Sequence, residues 1–292
     1  MSTQRDLWRS ELDPERIVQT TVNHWQETEH HEREDVLAVE EPFEVQINGE
    51  SLAVIMRTPG HDRELALGFL FNEGILSTTD DIEGIESAVD SDGLPLENVI
   101  NVRLCQPGNA ASETSCGLPG GVSFERHFAV SSSCGLCGKN SIASLLQDAP
   151  PLEQDTLQVS AKTLYMLAQA LREQQAVFSH TGGLHAAGLF SLCGELQLLR
   201  EDIGRHNAVD KLIGHGLLHK GLPYRENLLL VSGRTSFEII QKALQARIPY
   251  VIAISAPSSL AVDLAEKSNM TLVGFLRGHS MNIYTHPERI TL

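Results

Sequence analysis

No apolar run in the sequence approaches the roughly 20 residues that a membrane helix requires, and the N-terminal MSTQRDLWRSELDPER lacks the apolar core of a secretory signal. The expected compartment is therefore the cytoplasm. Basic residues are scarce: 22 stand against 38 acidic ones, a net charge of -16 that opposes non-specific attachment to nucleic acid or an anionic membrane. Only a local basic pocket could draw in an anion. Cysteines number 5, an odd count, and a reducing compartment disfavours structural disulfides, so they read as buried thiols, metal ligands or reactive groups. No internal repeat of fixed period is present, and no low-complexity tract beyond the polar N-terminal stretch. What is there is a chain of 292 residues, 41% hydrophobic, long enough for one large or two modest domains without disulfides or structural metal.

Residues 1–35 are polar, with His24, His30 and His31 among many glutamates, and offer no apolar period that could bury a face. They are expected to form a loosely ordered arm. A smaller N-terminal α+β subdomain is expected over 36–155. Strands 36–39, 43–47 and 52–56 open it, the last two joined through Asn48-Gly49, whose tolerance of positive φ suits a tight hairpin. Asp62 is placed to cap a helix to about residue 72, with Gly74 at its end and the hairpin packed on it. Residues 77–123 read as loops around one strand, 99–104.

An α/β domain is expected over 156–292. Ser160 precedes a helix over 161–175; strands follow at 185–192 and 196–200, and a helix starts near 206. After these come strand 228–231, helix 236–246, strand 250–254, helix 259–267 and strand 271–275. Strands alternating with helices of this length indicate crossover units, and so a sheet with helices on its faces.

Cys134-Gly135-Leu136-Cys137 stands just ahead of an apolar run at helical spacing. Both sulfurs can sit at a helix N-terminus, where unpaired amides and the helix dipole lower a thiol pKa, and Lys139 adds positive charge. Gly135 and Gly138 would let these thiols approach a partner closely. A persulfide carrier needs such a thiolate, and a second thiol can resolve or relay the sulfur. The same spacing also serves as half of a zinc site, with Cys105 and Cys116 as further thiolates. No second close cysteine pair supports that alternative, and Cys193 reads as a structural thiol in a turn.

Four polar segments add candidates. His180, Gly182 and Gly183 join a helix to a strand with the composition of a ligand-binding turn. Asp202, Arg205, His206 and Asn207 lie at a strand-to-helix junction, where open α/β sheets place ligands. Ser232 and Arg234 flank Gly233 at the next junction and suit a phosphate, although Ser236 could simply cap the helix. Phe275, Leu276, Arg277, Gly278, His279 and Ser280 form a basic, glycine-containing turn that suits an anion, or only a solvated loop.

Taken in order over about 40–287, these segments resemble the FdhD family of formate dehydrogenase accessory sulfurtransferases. The resemblance rests on Glu41-Pro42-Phe43, Thr58-Pro59, Cys134-Gly-Leu-Cys137-Gly138, His180-Thr-Gly-Gly183, Asp202-Ile-Gly-Arg-His-Asn207, Ser232-Gly-Arg234, Phe275-Leu-Arg-Gly278 and Tyr284-Thr-His286. It implies a protein that takes sulfur from a cysteine desulfurase and passes it to the molybdenum cofactor, Mo-bis(pterin guanine dinucleotide), for formate dehydrogenase. Cys134 would carry the persulfide, Cys137 would assist, and 275–280 would be the cofactor-binding segment. A homodimer is expected, because two carrier loops could then share a cofactor with two equivalent pterins. The family is related in fold to cytidine deaminases, which implies a deaminase-like C-terminal domain. The junctions that would hold a deaminase's zinc read His206-Asn207-Ala208 and Ser232-Gly233-Arg234-Thr235, without its ligands, so no metal is expected.

Overall fold

A computed structural model describes residues 14–90, 92–105, 128–130 and 149–292. A five-stranded sheet opens the body, in the order β5 (Ile82–Val89), β6 (Pro95–Leu104), β3 (Glu41–Ile47), β4 (Glu50–Arg57) and β7 (Phe128–Val130). β3 and β4 form the expected antiparallel hairpin, with Asn48 and Gly49 at φ of 51° and 86°. Alternation along β3 buries Phe43, Val45 and Ile47, which share a core with Leu65, Leu67, Phe69 and Leu70 of α1 (Asp62–Asn72). The hairpin therefore packs on the helix, as expected.

The larger sheet runs β10 (Leu196–Asp202), β9 (His185–Ser191), β11 (Asn227–Val231), β12 (Tyr250–Ala253), β13 (Thr271–Arg277) and β14 (Ser280–Ile283). β11, β12 and β13 are parallel, while β9, β10 and β14 pair antiparallel to their neighbours. This is the mixed α/β sheet the sequence implied. Its parallel strands are apolar through their centres, Leu228–Val231, Tyr250–Ala253 and 272–276, because both faces are covered. Leu229, Val231, Val251 and Ala253 meet α4 (Arg205–Leu218), α5 (Phe237–Gln245) and α6 (Ser259–Lys267) on one side. Leu228, Leu230, Tyr250 and Ile252 meet Leu164, Leu167 and Leu171 of α2 (Ala161–Gln174) on the other. Each of these leucines, fully buried, contributes on the order of 2 kcal/mol.

α1 and α4 join the two sheets. α1 is apolar on nearly every side because one face packs on the small sheet and the other on α4. The helices approach so closely that a Cβ on Gly68 would lie 1.9 Å from the Asp210 carbonyl oxygen, and one on Gly214 1.8 Å from that of Glu64. Polar ties reinforce the crossing: Asn72 Nδ2 donates to Asp210 Oδ1 at 2.6 Å, and Lys242 Nζ on α5 reaches the same oxygen at 2.6 Å.

Four expectations are corrected. Residues 17–35 are not a loose arm: β1 (Ile17–Gln26) and β2 (Glu29–Ala38) form a two-stranded hairpin. It escaped notice because neither face is buried, so no apolar period marks it. β5 lies in the stretch read as loops, where its glutamates and Gly84 mask a half-exposed edge strand. Asp62 does not cap α1; His61 holds that position at φ 60°, and Asp62 instead receives hydrogen bonds from Arg57 at 2.9 and 3.0 Å. β14 pairs back on β13 and turns the 275–280 segment into a hairpin. Among the described residues no helix is long and apolar enough to cross a membrane.

Candidate functional site

The strand directions bring the expected segments to one edge. The ends of β10, β11, β12 and β13 and the starts of β9 and β14 lie at the carboxyl side of the parallel strands, the usual ligand edge of an open sheet. His185, Asp202, Ser232 and Arg277 therefore lie along one rim, with β12 between Ser232 and Arg277. The loops are stitched together. Ser232 exchanges hydrogen bonds with Ala186, its amide donating at 3.0 Å and its Oγ accepting at 2.9 Å. The Thr235 amide donates to the Ala256 carbonyl at 3.2 Å, and the Phe275 amide to that of Ser255 at 3.1 Å.

Gly233 keeps the rim open. A Cβ there would lie 3.2 Å from His185 Nδ1 and 3.5 Å from Arg205 Cβ, so the backbone passes directly beneath an imidazole and a guanidinium stem. Arg234 is exposed and Arg205 half-buried, with its Nε buried and unpartnered among the described residues. Burial, followed by the charges of Arg205 and His206, pushes the His185 imidazole below its ordinary pKa, with Arg234 adding to the effect. It stays neutral near pH 7 in a field that favours an anion.

His206 is buried and pairs through Nε2 with Ser236 Oγ at 3.2 Å and Glu238 Oε2 at 3.1 Å. Ser236 donates to the same carboxylate at 2.6 Å, so it bridges side chains rather than capping α5. The hydrogen bond from His206 holds Glu238 down to about 2.

Asp202 and Asn207 are buried and committed to the protein. Asp202 Oδ1 accepts from the Gly204 amide at 2.8 Å and Asn207 Nδ2 at 2.9 Å; Oδ2 accepts from the Thr58 amide at 3.2 Å and meets Lys211 Nζ at 2.7 Å. Lys211 also donates to the Thr58 carbonyl at 2.8 Å, and Asn207 to that of Met56 at 2.8 Å. These residues lock the rim to the smaller sheet and orient Arg205 and His206. His180 Nδ1 lies 2.8 Å from the Ala176 carbonyl within α3 (Ala176–Thr181), and Gly182, at φ 67°, ends that helix before β9. In the β13–β14 hairpin Phe275, Arg277, Gly278, His279 and Ser280 are exposed, but Leu276 is a core residue. The ring of His279 meets Tyr165 edge-on at 5.5 Å. Cys134 and Cys137, with Cys116 and Lys139, lie outside the described residues. Cys193 is exposed in the β9–β10 turn, 3.0 Å from Ser191 Oγ.

Sequence reasoning missed Glu238 and Lys211, gave Thr58 no role beyond the resemblance, and also missed a second polar cluster. Glu64, His215 and His219 bring potential ligand atoms within 4.8 Å of one another. The cation already there is Arg200, whose Nε and Nη2 both donate to Glu64, Nη2 at 2.7 Å. Burial alone would raise Glu64, but hydrogen bonds from Arg200 and His215 outweigh it and hold the carboxyl at about 2. The signal for such groups was charge inside apolar helices, Glu64 in α1 and Lys211 in α4.

Glu64 and Glu238 fix a pH dependence. Their folded pKa values of about 2 lie below the ordinary 4.5, so their contribution is present above about pH 4.5 and lost as pH falls towards 2. The melting temperature is expected to fall through that window in calorimetric scans at stepped pH. Glu64→Gln should lower it at neutral pH and flatten the acid slope. An unchanged slope in that variant would contradict the assignment.

Known proteins share this sequence and this fold. The model of the FdhD/NarQ family matches residues 38–291. A protein of Streptomyces avermitilis named "Sulfur carrier protein FdhD" is 47% identical over 269 residues, covering 89% of this chain and 90% of its own length. One of the same name from Sulfolobus acidocaldarius is 46% identical over 263 residues, covering 89% and 92%. A crystal structure of a "putative formate dehydrogenase accessory protein" from Desulfotalea psychrophila superposes with a TM-score of 0.72 at 23% identity, covering 94% of this chain and 100% of that one, which speaks for the shared fold. With most of its length matched by the family model and by relatives of such identity, the chain belongs to the FdhD/NarQ family.

Proposed function

We infer that the protein is a sulfur carrier that accepts sulfur as a cysteine persulfide and delivers it to the molybdenum cofactor destined for formate dehydrogenase. Its relatives bear the name of sulfur carriers, and Cys134-Gly-Leu-Cys137 supplies two thiols at the spacing such chemistry uses. The observation that carries the acceptor half is the rim. Arg205, Arg234 and His185 converge around Gly233 in a chain of net charge -16, and Arg205 Nε has no partner among the described residues. Such a rim fits the phosphates of a nucleotide. The substrate would be Mo-bis(pterin guanine dinucleotide), held through its guanine nucleotide arm at 232–234 and Arg205, with the exposed residues of the 275–280 hairpin as further contacts.

The first step is redox-neutral. The Cys134 thiolate attacks the terminal sulfur of the persulfide on a cysteine desulfurase; a new S–S bond forms on Cys134, and the desulfurase leaves as thiolate. For release, the Cys137 thiolate would attack the inner sulfur on Cys134, so that a Cys134–Cys137 disulfide forms, the persulfide S–S bond breaks and hydrosulfide leaves to the acceptor, the two thiols supplying both electrons. On this reading the protein works in the cytoplasm, beside that desulfurase.

The test is intact mass and peptide mapping after incubation with a cysteine desulfurase and cysteine, without reductant. One added sulfur on Cys134 or Cys137, absent from Cys134→Ala, is the expected result. No gain, in a protein that holds stoichiometric zinc on those thiols, would replace the carrier reading with a metal site.

A further inference from the structure

We propose that His24, His31 and Glu29, at the apex of the β1–β2 hairpin, hold a divalent transition-metal ion such as zinc or nickel that pins the two strands together. The site stands apart from the sulfur chemistry and precedes residue 38, where the family match begins.

Register puts the ligands on one face. His24 pairs directly with His31 and Gln26 with Glu29, and alternation along a strand turns residues two apart to the same side. His24, Gln26, Glu29 and His31 are therefore four neighbours on one side of the apex. Trp25 and His30 lie on the other, stacked at 4.6 Å. The rings of His24 and His31 meet edge-on with centroids 5.3 Å apart. Two imidazoles that share a tetrahedral ion at Zn–N of about 2.0–2.1 Å have centroids about 5.2 Å apart, so the strands already hold these rings at a chelating separation. Glu29 is exposed and two residues before His31, and rotation of its side chain brings the carboxylate to the same ion. Two imidazoles and a carboxylate are a recurring ligand set for zinc, and they suit nickel as well.

Nothing else claims these groups. Among the described residues the side chains of His24, Glu29 and His31 make no hydrogen bond or ion pair. At Glu64, His215 and His219, by contrast, the Arg200 guanidinium already supplies the positive charge. The one basic residue of β1 and β2 is Arg33, opposite Val22 and one pair further from the apex on this face, and its long stem can carry the charge out to solvent. Glu27, Glu29 and Glu32 lie around the apex of a chain of net charge -16, a field that draws in a divalent cation.

The hairpin also lacks another means of holding its far end. A lone two-stranded sheet is marginally stable in water, and this one buries little, with Val18 at 49%, Trp25 at 63% and Leu37 at 47% exposure. Its base is tied down, since Arg16 Nη2 donates to the Glu201 carbonyl at 3.1 Å and β2 packs on α3. A metal across the apex closes the other end. Because the ligands come together only when the strands pair, metal binding stabilises the paired state.

The test is a Ni2+ titration of the full chain at neutral pH, carrying Trp8→Phe so that Trp25 is the sole tryptophan and its fluorescence reports on the apex. Saturable quenching is expected, reversed by Zn2+ and unaffected by millimolar Mg2+, which prefers oxygen ligands. His24→Gln and His31→Gln should each weaken binding at least roughly tenfold, since losing even an outer partner of a metal ligand costs about 10–100-fold. Glu29→Gln should weaken it by less. His30→Gln, one residue away on the opposite face, should bind as tightly as wild type, which separates chelation from any general disturbance of the hairpin. Absence of saturable quenching, wild-type affinity in any of the three ligand variants, or an equal loss in His30→Gln and His31→Gln would each overturn the proposal.

Discussion

Gly214→Ala is expected to destabilise the protein by about 2–4 kcal/mol, although alanine is the better helix former. Alanine returns about 1 kcal/mol of helix propensity at an interior position. Against this, its Cβ would stand 1.8 Å from the Glu64 carbonyl oxygen, well inside contact distance. The obstacle is backbone, which cannot rotate away like a side chain, so α1 and α4 must separate. Overpacking a core costs typically about 1–3 kcal/mol, and a main-chain clash belongs at or above the upper end. The separation also loosens both hydrophobic cores, since α1 belongs to the small sheet and α4 to the large one. It should weaken ligand binding too, because the first turn of α4 carries Arg205 and His206. Gly68→Ala meets the Asp210 carbonyl oxygen at 1.9 Å and should act alike. The double variant is expected to lose less than the sum, because one widened crossing admits both methyls. Denaturant unfolding of the three variants reads this, and Gly214→Ala within about 0.5 kcal/mol of wild type would show that the helices yield freely.

Asp202→Ala is expected to cost about 3–5 kcal/mol, the range for breaking a buried ion pair from one side. Both partners are fully buried and their charged atoms lie 2.7 Å apart. Removing the carboxylate leaves the Lys211 ammonium with the Thr58 carbonyl to donate to, and strands the donors of Thr58, Gly204 and Asn207. Burial already lowers the Lys211 pKa, and the Asp202 charge is what opposes that. Lys211→Met should cost less, because Asp202 keeps three hydrogen-bond donors and the thioether fills the stem's volume. Denaturant unfolding of both variants decides it. Equal losses would mean that the pair's Coulombic term outweighs the carboxylate's hydrogen bonds. Since the motif at 202–207 was read from sequence as a ligand site, this pair also separates roles within it. Asp202 and Asn207 hold the rim in place, while Arg205 Nε has no partner among the described residues.

The local elements with a buried face were legible in the sequence. β3 and β4 announced themselves through alternation and Asn48-Gly49, Ser160 caps α2 as its position implied, and the order of β9 to β13 followed from apolar runs separated by helices. Burial imposes a period on sequence, and the period can be read. β1, β2 and β5 lack that mark because water, not a core, lies against most of their side chains. Family membership was likewise legible, since motifs in a fixed order survive without knowledge of their contacts.

Tertiary structure decided the rest. That His185, Arg205 and Arg234 share one rim depends on which strands run parallel, and pairing between segments tens of residues apart leaves no local trace. That Asp202 serves to hold the rim depends on Thr58 and Lys211, which arrive from the end of a strand in the other sheet and from the interior of a helix. Glu64 and Arg200 found each other across 136 residues. A sequence states which groups carry charge, but only the fold decides which of those charges are removed from water and must therefore be paired.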